Sequence, residues 1–225
     1  MASSCGCWVR DFLCSSIGRK TVMAATGLAL FGFIVGHLAG NLQAFIPDHG
    51  ATMKQYADML HSKPALLWGA RIGLLVLLLV HVVTAVSLAI ANRAARPVPY
   101  QAKAWREASY ASRTMMVSGP LILFYVVYHL LHFTTGHAHP DFQAGDPYRN
   151  LVIGFSNPLV AIVYIAAMAM LTAHLAHGLW SVAQTLGINH PKYTATLRRL
   201  SVLIALLIGA GYISVPVAVL ARILK

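Results

Sequence analysis

Apolar runs broken by charge, proline and glycine divide the 225-residue chain into five long segments, near residues 21–45, 65–91, 114–135, 157–186 and 197–223. Each is long enough to cross a bilayer, for which about 20 apolar residues suffice. The pattern predicts an all-α integral membrane bundle of five transmembrane helices, in one domain spanning residues 1–225, with residues 1–20 as an N-terminal segment. Between the first two runs, A-T-M-K-Q-Y-A-D-M-L-H (Ala51–His61) places Met53, Tyr56, Ala57 and Leu60 at helical spacing. That spacing predicts a short amphipathic helix lying on the membrane interface. No soluble domain, internal repeat or low-complexity tract stands out.

Composition narrows the class. Hydrophobic residues make up 58% of the chain and charged residues only 10%, too few for a water-soluble surface of this size. Lys+Arg outnumber Asp+Glu 17 to 6, but the basic residues lie in short segments between apolar runs and form no patch, which argues against nucleic acid as a partner. Arg10, Arg19 and Lys20 precede the first run; Arg93, Arg96, Lys103, Arg106 and Arg113 separate the second from the third; Lys192, Arg198 and Arg199 separate the fourth from the fifth. Five crossings put all three groups on one side. The positive-inside rule makes that side the cytoplasm, with the C-terminus outside and membrane lipid as a partner. The first run follows Arg10, Asp11, Arg19 and Lys20 and has no clear small-residue cleavage site, so it is expected to remain as a helix. Cys5, Cys7 and Cys14 lack the spacing of a structural zinc site and read as reduced thiols.

Histidine carries the candidate chemistry. Ionisable side chains inside a membrane span are costly and mark functional sites by default. This chain places His37, His81, His129, His132, His174 and His177 within its first four spans and none in the fifth. Two imidazoles on facing helices can hold a haem iron from both sides, so such ligands should come in pairs at equal depth. At 1.5 Å per residue, His37 lies roughly 22 Å from the cytoplasmic start of the first span, and His129 lies about as far from Thr114. His81 lies about 15 Å before the cytoplasmic end of its span near Ala91, and His174 about 15 Å before the end near Ala183. Two pairs at two depths would stack two haems across the membrane. His132 and His177 each follow a candidate by three residues and share its helical face, so either could replace it as ligand. With no C-x-x-C-H segment, the haems are expected to be non-covalent b-type. Gly32, Gly36 and Gly40 recur around His37 at a spacing that either admits a macrocycle or lets helices pack closely.

These residues carry a family resemblance, running from about Ser15 to the C-terminus. The segments are S-S-I-G-R-K-T-V-M-A-A-T-G-L before the first span, G-H-L-A-G-N at Gly36 to Asn41, V-H-V-V-T-A at Val80 to Ala85, Y-H-L-L-H-F at Tyr128 to Phe133 and A-H-L-A-H-G-L-W-S at Ala173 to Ser181. In this order the chain resembles the diheme cytochrome b membrane anchors of succinate:quinone oxidoreductases and quinol:fumarate reductases, in their single-polypeptide, five-helix form. The resemblance implies axial ligands at His81 and His174 for the inner haem and at His37 and His129 for the outer, leaving His132 and His177 as neighbours.

It further implies partner subunits in a bacterial cytoplasmic membrane. A flavoprotein carrying FAD would interconvert succinate and fumarate, and an iron-sulfur subunit would relay electrons to this chain. The chain would pass them through two b haems to or from a quinone, typically menaquinone. Asp58, between the first two helices, matches the acidic residue often placed near the family's quinone, with His61, Asn41 and Gln43 near the same depth. Arg19, Lys20, Arg113 and Arg199 are candidate partners for haem propionates, although orientation alone accounts for basic residues there. Glu107 is the only glutamate, so the buried glutamate that some fumarate-reducing relatives use for proton transfer has no counterpart. Two other readings share part of this pattern: a diheme cytochrome b of another respiratory dehydrogenase, and a transporter whose histidines relay protons.

Overall fold

The structure, a computed structural model, describes residues 5–95 and 110–225, with side chains from Trp8 to Ala95 and from Met115 onward. It is all-helical there. In chain order the helices are α1 (Cys5–Cys14), α2 (Ser16–Leu42), α3 (Ala51–His61), α4 (Pro64–Ala94), α5 (Tyr110–His129), α6 (Pro147–Ser156), α7 (Pro158–Thr185) and α8 (Thr194–Leu220). Five of them, α2, α4, α5, α7 and α8, are long and apolar enough to cross a membrane. Their exposure is inverted relative to a soluble bundle: Leu159 is 74% exposed and Phe124 72%, a distribution that only a lipid solvent favours.

Local chemistry sets the ends. The Ser15 hydroxyl accepts from Gly18 N at 3.0 Å and caps α2. Pro64 and Pro158 open α4 and α7, where a missing N–H costs nothing, and Asn157 caps α7 through Leu159 N at 3.0 Å. α5 runs into a π turn over Leu130–Thr134, closed by Thr135 N donating to Leu130 O at 2.9 Å.

α2 packs against α4, α7 and α8, while α5 packs on α7. α7 and α8 approach closely because Ala161 and Ala205 are fully buried and Gly209 meets Thr172. The larger core cluster lies at the end away from the N-terminus, where Ala44, Met53, Leu151, Phe155, Tyr164 and Val219 join the long helices to α3 and α6. Gly50, at φ +85°, makes the turn into α3, and its missing side chain leaves room for the Tyr148 ring from α6.

Asp48 secures that turn. Its carboxylate accepts from Gly50 N at 3.0 Å, Thr52 N at 2.9 Å and the Thr52 hydroxyl at 2.5 Å, and these bonds, the Thr52 hydroxyl first, hold its pKa below the usual aspartate value. A depressed carboxylate pKa stabilises the fold above the unfolded value, and the contribution is lost as pH falls through the folded one. Amide exchange over the first turn of α3 is therefore expected to accelerate only below the ordinary aspartate range. In Asp48→Ala it is expected to be fast at every pH.

Candidate functional site

The long helices bring four histidines together as two pairs. His81 on α4 faces His174 on α7 with ring centroids 6.4 Å apart, and His37 on α2 faces His129 at the end of α5 with centroids 5.8 Å apart. Along α2, the eleven residues from Thr26, beside His81, to His37 separate the pairs by about 16 Å. That separation is about half the thickness of a hydrocarbon core of about 30 Å.

This spacing can be compared with what one metal between two imidazoles requires. Two metal–nitrogen bonds of about 2 Å, plus about 1.2 Å from nitrogen to ring centre on either side, set the centroids roughly 6.4 Å apart. Both pairs fall close to that value. A Cβ built at Gly32 or Gly36 meets no atom within 4 Å, nor does one at Gly178, one turn after His174, whereas at Gly40 it would lie 3.3 Å from the Tyr56 ring. Close helix packing thus accounts for Gly40 but not for Gly32 or Gly36 beside His37. Facing imidazoles and small flanking residues together fit a planar, metal-centred group.

Neighbouring side chains distinguish the candidates. His37 stacks on Phe33 at 5.4 Å and lies 6.2 Å from Tyr212, whose hydroxyl donates to Ile34 O at 2.7 Å. His129 is flanked by Tyr125, Phe133 and Tyr164. His132 is fully buried elsewhere: it packs on Tyr128, Phe133, His139 and Tyr164, and its Nδ1 lies 3.0 Å from Tyr164 Oη. The same Tyr164 Oη lies 3.5 Å from His129 Nδ1. On α7, the ring beside His81 is that of His174, and its Nδ1 is buried without a hydrogen-bond partner.

The other expected residues are more dispersed. Asp58 is exposed and ion-pairs with Lys54 one turn earlier at 3.1 Å, an ordinary surface pair. His61 is exposed, its Nδ1 2.8 Å from Ala57 O. Asn41 is half-buried near the end of α2, and Gln43 holds a buried Oε1 with no partner. Arg19 reaches across to α4, donating from Nη1 to Ser87 O at 3.4 Å and from Nε to Ser15 O at 3.4 Å. Lys20 is exposed, and Arg199 lines an open groove of about 850 Å³ on α8 with Arg198, Val202 and Leu203. The Arg113 side chain and Glu107 lie outside the described residues.

Sequence reasoning did not single out Thr26, Tyr164 or His139. Thr26 Oγ1 lies 3.1 Å from His81 Nδ1. His139 is buried, with Nε2 2.8 Å from Asn150 O and Nδ1 accepting from Asp141 N at 3.1 Å. The first two are uncharged, and the third sits in a loop without periodicity, so the signal used for the other histidines could not reach them.

No curated relative and no solved structure matches the chain. The family described as the succinate dehydrogenase/fumarate reductase transmembrane subunit matches residues 90–213. That stretch is more than half of the chain and takes in His129, His132, His174 and His177 with α5, α7 and most of α8. With five apolar helices around histidines on facing faces, the chain belongs to the transmembrane subunit family of succinate dehydrogenase and fumarate reductase.

Proposed function

We propose that this chain is the diheme membrane anchor of such a complex, carrying electrons between an iron-sulfur subunit and a membrane quinone. The observation that carries the reading is the presence of two facing histidine pairs, at 6.4 and 5.8 Å, on the four helices expected to supply them. His81 and His174 hold the inner b haem, and His37 and His129 the outer. A b haem supplies a one-electron carrier whose potential depends on its axial ligands and surroundings.

The protein's contribution is to bind, orient and insulate. The aromatic wall of Phe33, Tyr125, Phe133 and Tyr212 keeps water from the outer pair. The chain has no dicarboxylate chemistry of its own; succinate and fumarate are handled on the FAD-bearing flavoprotein subunit. The N-terminus faces the bacterial cytoplasm, where the basic segments also meet the iron-sulfur subunit. The quinone, menaquinone by the resemblance, exchanges electrons at the outer side, near the ends of α2 and α3. Of Asn41, Gln43, Asp58 and His61, Gln43 has the strongest structural support, because its buried Oε1 lacks a partner. The paired, exposed Asp58 has the weakest.

A reduced-minus-oxidised spectrum of the purified chain, with haem assayed against protein, tests this reading. Two b haems per chain are expected. No b-type bands would favour a proton-relaying transporter, and a ratio near one would remove half of the assignment. Co-purification with a nickel or molybdenum subunit instead of a flavoprotein would move the chain to another respiratory dehydrogenase.

A further inference from the structure

We propose that Thr26 is a positioning residue for the inner site: its hydroxyl accepts from His81 Nδ1–H, directs Nε2 to the iron and lowers that haem's potential. The inference rests on the assignment of His81 as an axial ligand.

Thr26 sits on α2, buried to 7% exposure, and His81 sits on α4. Thr26 Oγ1 is 2.8 Å from Val22 O, 3.2 Å from Met23 O and 3.1 Å from His81 Nδ1. A hydroxyl has one hydrogen, and a backbone carbonyl can only accept. The hydrogen therefore goes back along the helix to a carbonyl of the preceding turn, the usual bond for a threonine inside a helix. What Thr26 then offers His81 is a lone pair, and on this arrangement the proton is assigned to His81 Nδ1. In a neutral imidazole this leaves Nε2 as the nitrogen with a free pair.

The neighbouring glycine supports the same orientation. A Cβ built at Gly27 would lie 3.2 Å from His81 Cε1 and 3.7 Å from Nδ1. The Nδ1–Cε1 edge of the ring therefore lies against α2, and the ring reaches that close only because residue 27 has no side chain. Nε2, bonded to Cε1 on the side away from Nδ1, lies more than 4 Å from that position.

The partner imidazole differs. His174 Nδ1 is buried without a hydrogen-bond partner, so only the His81 side of the inner pair is anchored from a neighbouring helix. A hydrogen bond from the distal N–H fixes a ligating imidazole's tautomer and orientation and increases its basicity. A more basic ligand favours the oxidised metal, and the potential falls.

The test uses the purified holo-complex with Thr26→Val, which keeps the shape and removes the hydroxyl, and Thr26→Ser, which restores it. Haem content and a redox titration are measured on each, with His81→Ala identifying the inner haem. Thr26→Val is expected to raise the midpoint of the inner haem alone, or to lose that haem alone, while Thr26→Ser stays near wild type. An unshifted titration in Thr26→Val would overturn the proposal. So would equal changes in Thr26→Val and Thr26→Ser, which would mark a packing effect, or movement of both haems. Wild-type protein without b haem would instead refute the functional reading on which the proposal rests.

Discussion

Alanine at His81 or at His174 is expected to take the haem content from two per chain to one and to stop electron flow through the anchor. Each substitution deletes one of two facing imidazoles whose rings lie 6.4 Å apart. No covalent thioether remains to hold the group in place, because the chain contains no C-x-x-C-H segment. The outer pair should survive, since about 16 Å of α2 separates it from the inner site and its rings are held by Phe33, Tyr125 and Tyr212. Membrane insertion should survive as well, because the five apolar helices do not depend on any one histidine. Haem assay and low-temperature spectra of the two variants check the outcome. Retention of both haems in His174→Ala, with loss in His177→Ala, would move the ligand one turn along α7.

The spans were legible because apolar length is a signal that little else imitates. Their ends were less so. α2 begins at Ser16, inside the basic segment, because the Ser15 cap and not the first apolar residue starts the helix. α1 and α6 went unnoticed. Residues 147–156 form no long apolar run because Pro147, Arg149, Asn150 and Ser156 interrupt the apolar positions. The signal was nevertheless present: Asp146 accepts from Arg149 N at 3.0 Å, with Pro147 in the first turn, the usual start of a helix. α6 matters to the site because Gly154 lies directly against His132 and Phe133.

Depth counting rests on the nearly constant rise per residue of a long helix, and the structure places His37 beside His129 and His81 beside His174. Depth could not choose between residues one turn apart, and counting it presumed that α5 stays α-helical through His132. The π turn over Leu130–Thr134 breaks that presumption. An inserted residue disrupts the shared face of an i, i+3 pair, and nothing in L-L-H-F-T announces it. Hydrogen-bond partners such as Thr26 and Tyr164 were illegible for a different reason. They depend on which helices are neighbours, and hydropathy does not report that.

His129→Ala and His132→Ala are expected to give opposite phenotypes, although the two residues are three apart. His129 faces His37, so its loss should remove the outer haem and electron exchange with quinone along with it. His132 is wholly enclosed by Tyr128, Phe133, His139 and Tyr164 and hydrogen-bonds to Tyr164 Oη at 3.0 Å. Truncating it leaves a cavity and takes from the Tyr164 hydroxyl its 3.0 Å partner. The cost should be roughly 2–3 kcal/mol of stability, with two haems still bound. Tyr164 links the two residues. Its single hydrogen can go to only one nitrogen, so donation to His132 Nδ1 leaves its oxygen to accept from His129 Nδ1, 3.5 Å away. Tyr164→Phe should therefore retain both haems but shift the outer midpoint upward, by the same argument that applies to Thr26 at the inner site. Haem stoichiometry, redox titration and thermal unfolding of the three variants separate ligand, packing and positioning roles. Loss of the outer haem in His132→Ala, with retention in His129→Ala, would assign the third-helix ligand to His132 and require the π turn to rotate when haem binds.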